Sequence, residues 1–158
     1  MNKPTAKSVS LFADYLELTK PRLTSLVIAT AMVGFLLGSP SEIDWATGAF
    51  MIIGMIAVVG GGNALNQYWE RDVDALMHRT RNRPLPTGRL TSTEAMIFGM
   101  VLSLAGLALL VFAVAPIAAA LAFGGWTTYV LVYTPLKQRT AASTLVGAVP
   151  GAVPPLVG

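Results

Sequence analysis

The sequence has 158 residues, of which 54% are hydrophobic and only 12% are charged. Ordinary soluble domains carry about 25% charged residues, so this composition excludes a typical soluble protein and predicts an integral membrane protein. Cysteine is absent, which excludes disulfides and thiolate metal sites. The net charge is only +3, and its distribution along the chain is more informative than its size. No nucleic-acid partner is expected.

The first two apolar segments follow a polar N-terminal stretch. Residues 23–38 form the first span; they lack a small-residue cleavage site and precede further spans, so we interpret them as a retained helix and not as a signal peptide. A turn over residues 39–42 leads to a second span over residues 45–65. Gly60, Gly61 and Gly62 lie near its end, where they allow close helix packing or a local opening beside a site.

The rest of the apolar sequence predicts two more crossings and the start of another. Thr91 and Glu94 have the spacing of a capping box, which begins the third span. Residues 95–136 contain no charge and fit two crossings of about 20 residues each, with a hairpin at Ala115 and Pro116. A fifth apolar segment begins near Ala141. The predicted fold class is therefore all-α: one polytopic transmembrane helical bundle with four full spans plus the start of a fifth.

The basic residues all lie on one side of these spans. With the N-terminus inside, the inside segments are residues 1–22, 66–94 and 137–142, and they hold all 11 lysines and arginines. The outside turns carry only Glu42 and Asp44. This partition follows the positive-inside rule and predicts a multi-pass membrane protein with a cytoplasmic N-terminus.

An acidic stripe follows the second span. Asn66, Glu70 and Asp74 are four residues apart, so on a helix they lie along one face with a drift of about 40° per step. Three oxygen-bearing side chains on one face can share a hard cation such as Mg²⁺. The alternative is a solvated helix end whose acids pair with neighbouring arginines, and Asp72 and Arg71 fit that description.

Arginines follow the stripe at once, namely Arg79, Arg81, Arg83 and Arg89. Guanidinium groups match phosphate oxygens bidentately, so a diphosphate beside the stripe is the predicted ligand, with Arg79 and Arg83 among its contacts. Lys137 and Arg139, on the next inside loop, complete this cradle or act only as positive-inside anchors.

Two further sets of polar and aromatic residues have open interpretations. The only histidine, His78, is interpreted as a polar loop residue, with a haem-ligand or base role as the alternative. The aromatic residues line an apolar isoprenoid tunnel or form interfacial belts; they are Tyr68, Trp69, Trp126, Tyr129 and Tyr133.

These motifs together resemble the intramembrane aromatic prenyltransferases, and within them the protohaem IX farnesyltransferases, or haem O synthases. The matching segments are the stripe Asn66-x3-Glu70-x3-Asp74 and residues 18–22, 77–86, 133–140 and 147–158. Many bacterial relatives carry Asp where Glu70 stands, and the longer side chain is still expected to reach a cation.

The resemblance implies a bundle of nine spans in the bacterial inner membrane, with a cavity open toward the cytoplasm. It implies Mg²⁺ bound through two acidic motifs, the first being Asn66, Glu70 and Asp74, which are therefore the expected catalytic and metal-binding residues. It implies transfer of farnesyl from farnesyl diphosphate to a vinyl group of haem B, giving haem O. Family members are about twice this length, so residues 1–158 are expected to be one prenyltransferase domain truncated at its C-terminal side and inactive alone.

Two alternatives stay open at this point. One is a prenyltransferase for another acceptor, such as a quinone precursor or chlorophyllide, because the arginine-rich block is widely shared and acceptor choice then rests on residues 147–158. The other is a non-catalytic membrane fragment or a piece of a transporter, which would carry polar residues near the middle of its spans. The sequence makes no prediction of the oligomeric state.

Overall fold

A computed structural model describes residues 10–39, 42–137, 140 and 143–158. All regular structure in these residues is helical, as expected for backbone that must satisfy its own hydrogen bonds in lipid. The helices are α1 (Leu11–Leu18), α2 (Pro21–Gly38), α3 (Trp45–Leu76), α4 (Ser92–Ala113), α5 (Pro116–Thr127), α6 (Thr134–Leu136), α7 (Ser143–Ala152) and α8 (Pro154–Val157). A π-helical turn, Thr128–Tyr133, joins α5 to α6.

Four helical segments of the described chain are long and apolar enough to cross a membrane. They are α2, α3, α4 and the continuous segment Pro116–Leu136. The prediction of an all-α, multi-pass bundle with four full spans is therefore confirmed. The fifth apolar segment forms α7 and α8, and α8 packs against α2 so closely that a Cβ on Gly34 would collide with the Pro155 carbonyl.

Helix α3 extends well past the predicted span. Its first turn is capped by the Asp44 carboxylate, which accepts hydrogen bonds from the Ala46 and Thr47 N–H groups at 3.0 and 3.3 Å. The helix has 32 residues and a length of about 48 Å. It therefore runs about three turns past residue 65. These turns carry the acidic stripe, which thus belongs to the same continuous helix as the second span.

The boundaries of α4 agree with the predicted cap and hairpin. The Thr91 N–H donates to the Glu94 carboxylate at 2.8 Å, and the Glu94 N–H donates to the Thr91 hydroxyl at 3.2 Å, which is the reciprocal capping box. The helix ends at Ala113 and α5 begins at Pro116. Proline is favoured in the first turn of a helix because that position needs no N–H donor.

Glycines allow α3 and α4 to pack with their backbones in contact. A Cβ built on Gly106 of α4 would lie 2.6 Å from the Gly54 carbonyl oxygen of α3, and one built on Gly61 would lie 2.6 Å from the Gly99 carbonyl oxygen. Helices in lipid associate mainly through van der Waals packing, which small residues favour. The predicted packing role of the glycines near the end of the second span is thus confirmed at Gly61.

Helix α1 was not predicted, because it lies in the polar N-terminal stretch. Its first turn is capped by Ser10, whose hydroxyl accepts from the Ala13 N–H at 3.3 Å. Its position is fixed by Arg89, which pairs with Asp14 at 2.7 Å and with Glu17 at 3.3 Å. Arg89 therefore holds α1 against the bundle.

Candidate functional site

The acidic stripe is buried along one face of α3. The exposed fractions of Asn66, Glu70 and Asp74 are 2%, 7% and 4%, whereas the side chain of Asp72 is 85% exposed. Asp72 pairs only loosely with Arg71, at 3.7 Å. The structure thus separates the acids by face as the helical spacing predicts, and the buried face cannot be described as a solvated helix end.

Each member of the stripe is bonded to a different cation. Lys20 donates to the Asn66 amide oxygen at 2.6 Å, Lys137 to the Glu70 carboxylate at 3.1 Å, and Arg83 to the Asp74 carboxylate at 2.5 Å. We call these six side chains the charged cluster. It brings the start of α2, the loop after α3 and the end of α6 to one end of the bundle. Because cations outnumber carboxylates in it, the cluster suits an added anion.

Lys20 reaches the cluster from an unusual backbone conformation. Its φ of 50° is the only positive φ at a non-glycine residue of the described chain. It also precedes Pro21, a position that normally favours extended backbone. Such a conformation costs on the order of 1–3 kcal/mol and persists only where the surroundings fix it. Burial lowers the pKa of the Lys20 ammonium to about 8, and the Arg83 guanidinium acts in the same direction.

The remaining predicted cations have different environments. Arg79 is exposed, as is His78, and Arg79 makes no ion pair with any residue in the described part of the chain. The structure therefore does not bring Arg79 to the stripe. Arg139 lies outside the described residues, so its predicted phosphate contact stays a prediction.

A buried polar network connects the stripe to the π-helical turn. The Asn66 amide donates to the Thr134 hydroxyl at 3.0 Å, and that hydroxyl donates to the Tyr129 carbonyl at 2.8 Å. One turn earlier on α3, Asn63 accepts from the Tyr129 hydroxyl at 3.1 Å. The fourth span is thus fixed against the stripe by amide and hydroxyl groups, which carry no charge that would have to be buried.

An apolar cavity of about 540 Å³ lies beside this network. Its walls come from α2, α3, α5, the π-helical turn and α7, and they include Trp126, Tyr129, Tyr133 and Asn63. The rings of Tyr129 and Tyr133 are stacked with centroids 5.7 Å apart. Three of the five aromatic residues proposed for a tunnel therefore line the cavity. Tyr68 and Trp69 do not, and Trp69 is half exposed.

The donor set of the stripe fits part of a magnesium site. The described residues contain no group of three or more histidine, cysteine, aspartate or glutamate side chains able to hold a metal. Mg²⁺, however, is usually bound by one or two carboxylates and completed by phosphate oxygens and water. Glu70 and Asp74 each engage one oxygen with a cation and keep a second oxygen, so the two side chains together meet that smaller requirement.

The comparisons with known proteins identify the family of the chain. The sequence model of the UbiA prenyltransferase family matches residues 27–158. The chain belongs to the UbiA prenyltransferase family. The resemblance inferred from the motifs is thereby confirmed, and the helical membrane fold is that of UbiA proteins.

Several curated relatives that match the chain are protoheme IX farnesyltransferases. A protoheme IX farnesyltransferase of Anaeromyxobacter sp. (strain Fw109-5) is 47% identical over 151 residues, which are 96% of this chain and 51% of the relative. The enzymes of the same name from Myxococcus xanthus and Solibacter usitatus are 44% and 42% identical to this chain. Their alignments include 100% and 92% of this chain and, in both cases, 53% of the relative. The chain thus spans about half the length of these curated relatives. No solved structure matches it significantly.

Several residues of this UbiA site were not identified from the sequence. Lys20 was noted only as part of a matching segment, and Asn63, Gln67 and Thr134 were not singled out. The sequence did contain a signal for Asn63 and Gln67. Helical spacing at the end of an apolar run places them on the same face as Asn66 and Glu70. Polar side chains on the buried face of a membrane helix are costly and usually functional.

Proposed function

We propose that the chain belongs to an enzyme that transfers a farnesyl group from farnesyl diphosphate to a vinyl group of haem B, giving haem O. The observation that carries this proposal is the charged cluster, which a buried network of hydrogen bonds connects to the wall of an apolar cavity. An amphiphilic donor with an anionic head and a hydrocarbon tail needs these two environments side by side. The names of the UbiA relatives support haem B as the acceptor, and nothing favours a quinone precursor, chlorophyllide or a non-catalytic role.

The charged cluster would bind the diphosphate group of the donor. Glu70 and Asp74 would hold Mg²⁺, and Asn66 would add its amide oxygen once Lys20 no longer occupies it. When bound, the ion supplies positive charge for the departing diphosphate. Arg83 and Lys137 bear donors that match phosphate oxygens. The stripe carboxylates pair with both side chains, and these donors would become available where metal and phosphate replace those contacts.

The apolar cavity would hold the hydrocarbon chain of the donor. Its volume of about 540 Å³ falls in the range of about 300–1,000 Å³ typical of small-molecule sites. Its apolar walls exclude water from the reacting carbon, which matters because the reaction passes through a reactive allylic cation. The stacked rings of Tyr129 and Tyr133 offer the π faces that attract cations.

The proposed reaction balances as follows. The bond between C1 of the farnesyl group and the diphosphate oxygen breaks, and the electron pair leaves with the diphosphate. The π electrons of the haem vinyl group form the new carbon–carbon bond to C1. Water then adds to the carbocation left on the former vinyl group and loses a proton, which gives the hydroxyl of haem O. The protein contributes by binding the leaving group, orienting the chain and excluding water.

A direct assay tests the assignment of donor and acceptor. We expect the complete gene product, purified in detergent, to convert haem B to haem O in the presence of farnesyl diphosphate and Mg²⁺, as measured by mass spectrometry of the extracted haem. Parallel reactions with 4-hydroxybenzoate and chlorophyllide serve as acceptor controls. Prenylation of either control at a higher kcat/KM than haem B would contradict the haem assignment.

We also propose that the N-terminus and the charged cluster face the cytoplasm of a bacterium, across its inner membrane. The support is the confinement of all 11 basic residues to one set of segments. Single cysteines at Glu42 and Arg81, both exposed, can be labelled selectively because the chain contains no native cysteine. In intact spheroplasts an impermeant maleimide should modify the cysteine at position 42 and spare the one at position 81. The reverse pattern would invert the topology.

A further inference from the structure

We infer that Lys20 is a direct ligand of the substrate diphosphate and that the elbow between α1 and α2, residues 17–20, is built to present its ammonium group. This inference rests on the proposed function, because it assumes a diphosphate in the charged cluster. It adds a ligand from the first span to those expected from the loop after α3 and from the end of α6.

The first observation is that Lys20, unlike the other two cations of the cluster, forms no ion pair with a carboxylate of the described residues. Arg83 and Lys137 each form an ion pair with a member of the stripe. Lys20 instead donates to a neutral amide oxygen, that of Asn66, and forms no ion pair with the carboxylates of the described residues. A half-buried ammonium with a neutral partner remains incompletely compensated. An incoming anion would supply the missing countercharge.

The second observation is that α3 holds the elbow with three side-chain amides. Gln67 donates to the Glu17 and Leu18 carbonyls at 3.3 and 3.1 Å, and Asn63 donates to the Thr19 carbonyl at 3.1 Å. Asn66 receives the Lys20 ammonium at the tip of the elbow. These contacts join residues more than 40 positions apart in sequence, and they explain how the left-handed conformation of Lys20 is sustained.

The third observation is that space for a ligand lies next to Lys20. An open cavity of about 700 Å³ borders the elbow, and its walls include Lys20, Gln67 and Arg83. Lys20 therefore borders a volume that it shares with a second cation of the cluster, Arg83. An anion reaching Arg83 from this cavity would also lie within reach of Lys20.

The roles of these residues differ. Lys20 would contact the diphosphate itself, whereas Asn63 and Gln67 act through the elbow and are positioning residues. Neutral amides suit this task because they satisfy buried carbonyls without adding charge that would compete for the anion. The elbow is also held by Arg89 through Asp14 and Glu17.

Calorimetric titration with magnesium pyrophosphate tests the inference on the complete gene product in detergent. We expect Lys20→Met to weaken pyrophosphate binding by roughly tenfold to a hundredfold, the range of a hydrogen bond to a charged group. The matched control is Arg71→Met, which removes a partly exposed cation that pairs with Asp72 and does not border this cavity; it should change binding by no more than about twofold. Equal binding by wild type and Lys20→Met would overturn the inference.

A double-mutant cycle tests the elbow separately. Gln67→Leu should weaken pyrophosphate binding when Lys20 is present and have little further effect in the Lys20→Met background. Additive losses would show that Gln67 does not act through Lys20 and would overturn its positioning role.

Amine labelling of the unsubstituted protein keeps the inference testable if Lys20→Met does not fold. Magnesium pyrophosphate should protect Lys20 from reductive methylation, as measured by mass spectrometry, while the α-amino group stays reactive. Undiminished methylation of Lys20 at saturating pyrophosphate would overturn the inference. If the wild-type protein binds no pyrophosphate at all, the proposed function itself fails, which is distinct from binding that is independent of Lys20.

Discussion

Replacing Asp74 by asparagine, or Glu70 by glutamine, is expected to lower prenyl transfer by the complete gene product by at least about a hundredfold. This is the usual loss of rate when one group that stabilises charge in the transition state is removed. Each change keeps the shape of the side chain and removes the negative charge that the proposed Mg²⁺ would need. Both residues are buried on the site face of α3. The measurement is kcat/KM for farnesyl diphosphate at saturating magnesium.

Asp72→Asn is the matched control on the same helix. Its side chain is 85% exposed and pairs only loosely with Arg71, so activity should stay close to that of the wild type. Similar losses at positions 70, 72 and 74 would mean that helix stability, and not the stripe, determines activity. Full activity of Asp74→Asn would refute the magnesium assignment.

Gly106→Ala is expected to destabilise the bundle by about 1–3 kcal/mol, the usual cost of overpacking. The added methyl group would lie 2.6 Å from the Gly54 carbonyl oxygen and 2.8 Å from the Val58 backbone nitrogen. Since both neighbours are backbone atoms, α3 and α4 must move apart to admit it. Reversible unfolding in mixed detergent micelles would measure the loss.

Gly124→Ala provides the comparison, because a Cβ at Gly124 meets nothing within 4 Å. The same substitution there should leave stability unchanged or raise it by up to about 1 kcal/mol through helix propensity. Equal destabilisation at both positions would show that the α3–α4 contact is looser than the structure indicates.

The spans and the stripe could be predicted because they depend on local properties of the sequence. The hairpin near Pro116 follows from hydropathy and span length, and the capping box at Thr91 follows from a four-residue pattern. The common face of Asn66, Glu70 and Asp74 follows from helical periodicity alone. None of these features requires knowledge of a distant part of the chain.

The features that were missed depend on contacts between distant residues. Arg89 resembles the phosphate-facing arginines in sequence, but it pairs with Asp14, 75 positions earlier. The left-handed conformation of Lys20 contradicts the local preference before proline and is sustained by α3 amides more than 40 positions away.

The length of α3 has a consequence for how products would leave. A hydrocarbon core of about 30 Å accommodates about 20 helical residues, so a helix that enters it at Trp45 emerges near Leu65, immediately before the stripe begins. In the proposed reaction the two products then separate by solubility. Pyrophosphate is freed where the helix meets water, and the newly lipidated pigment can diffuse sideways into the bilayer. Neither has to cross the membrane, so turnover requires no transport step.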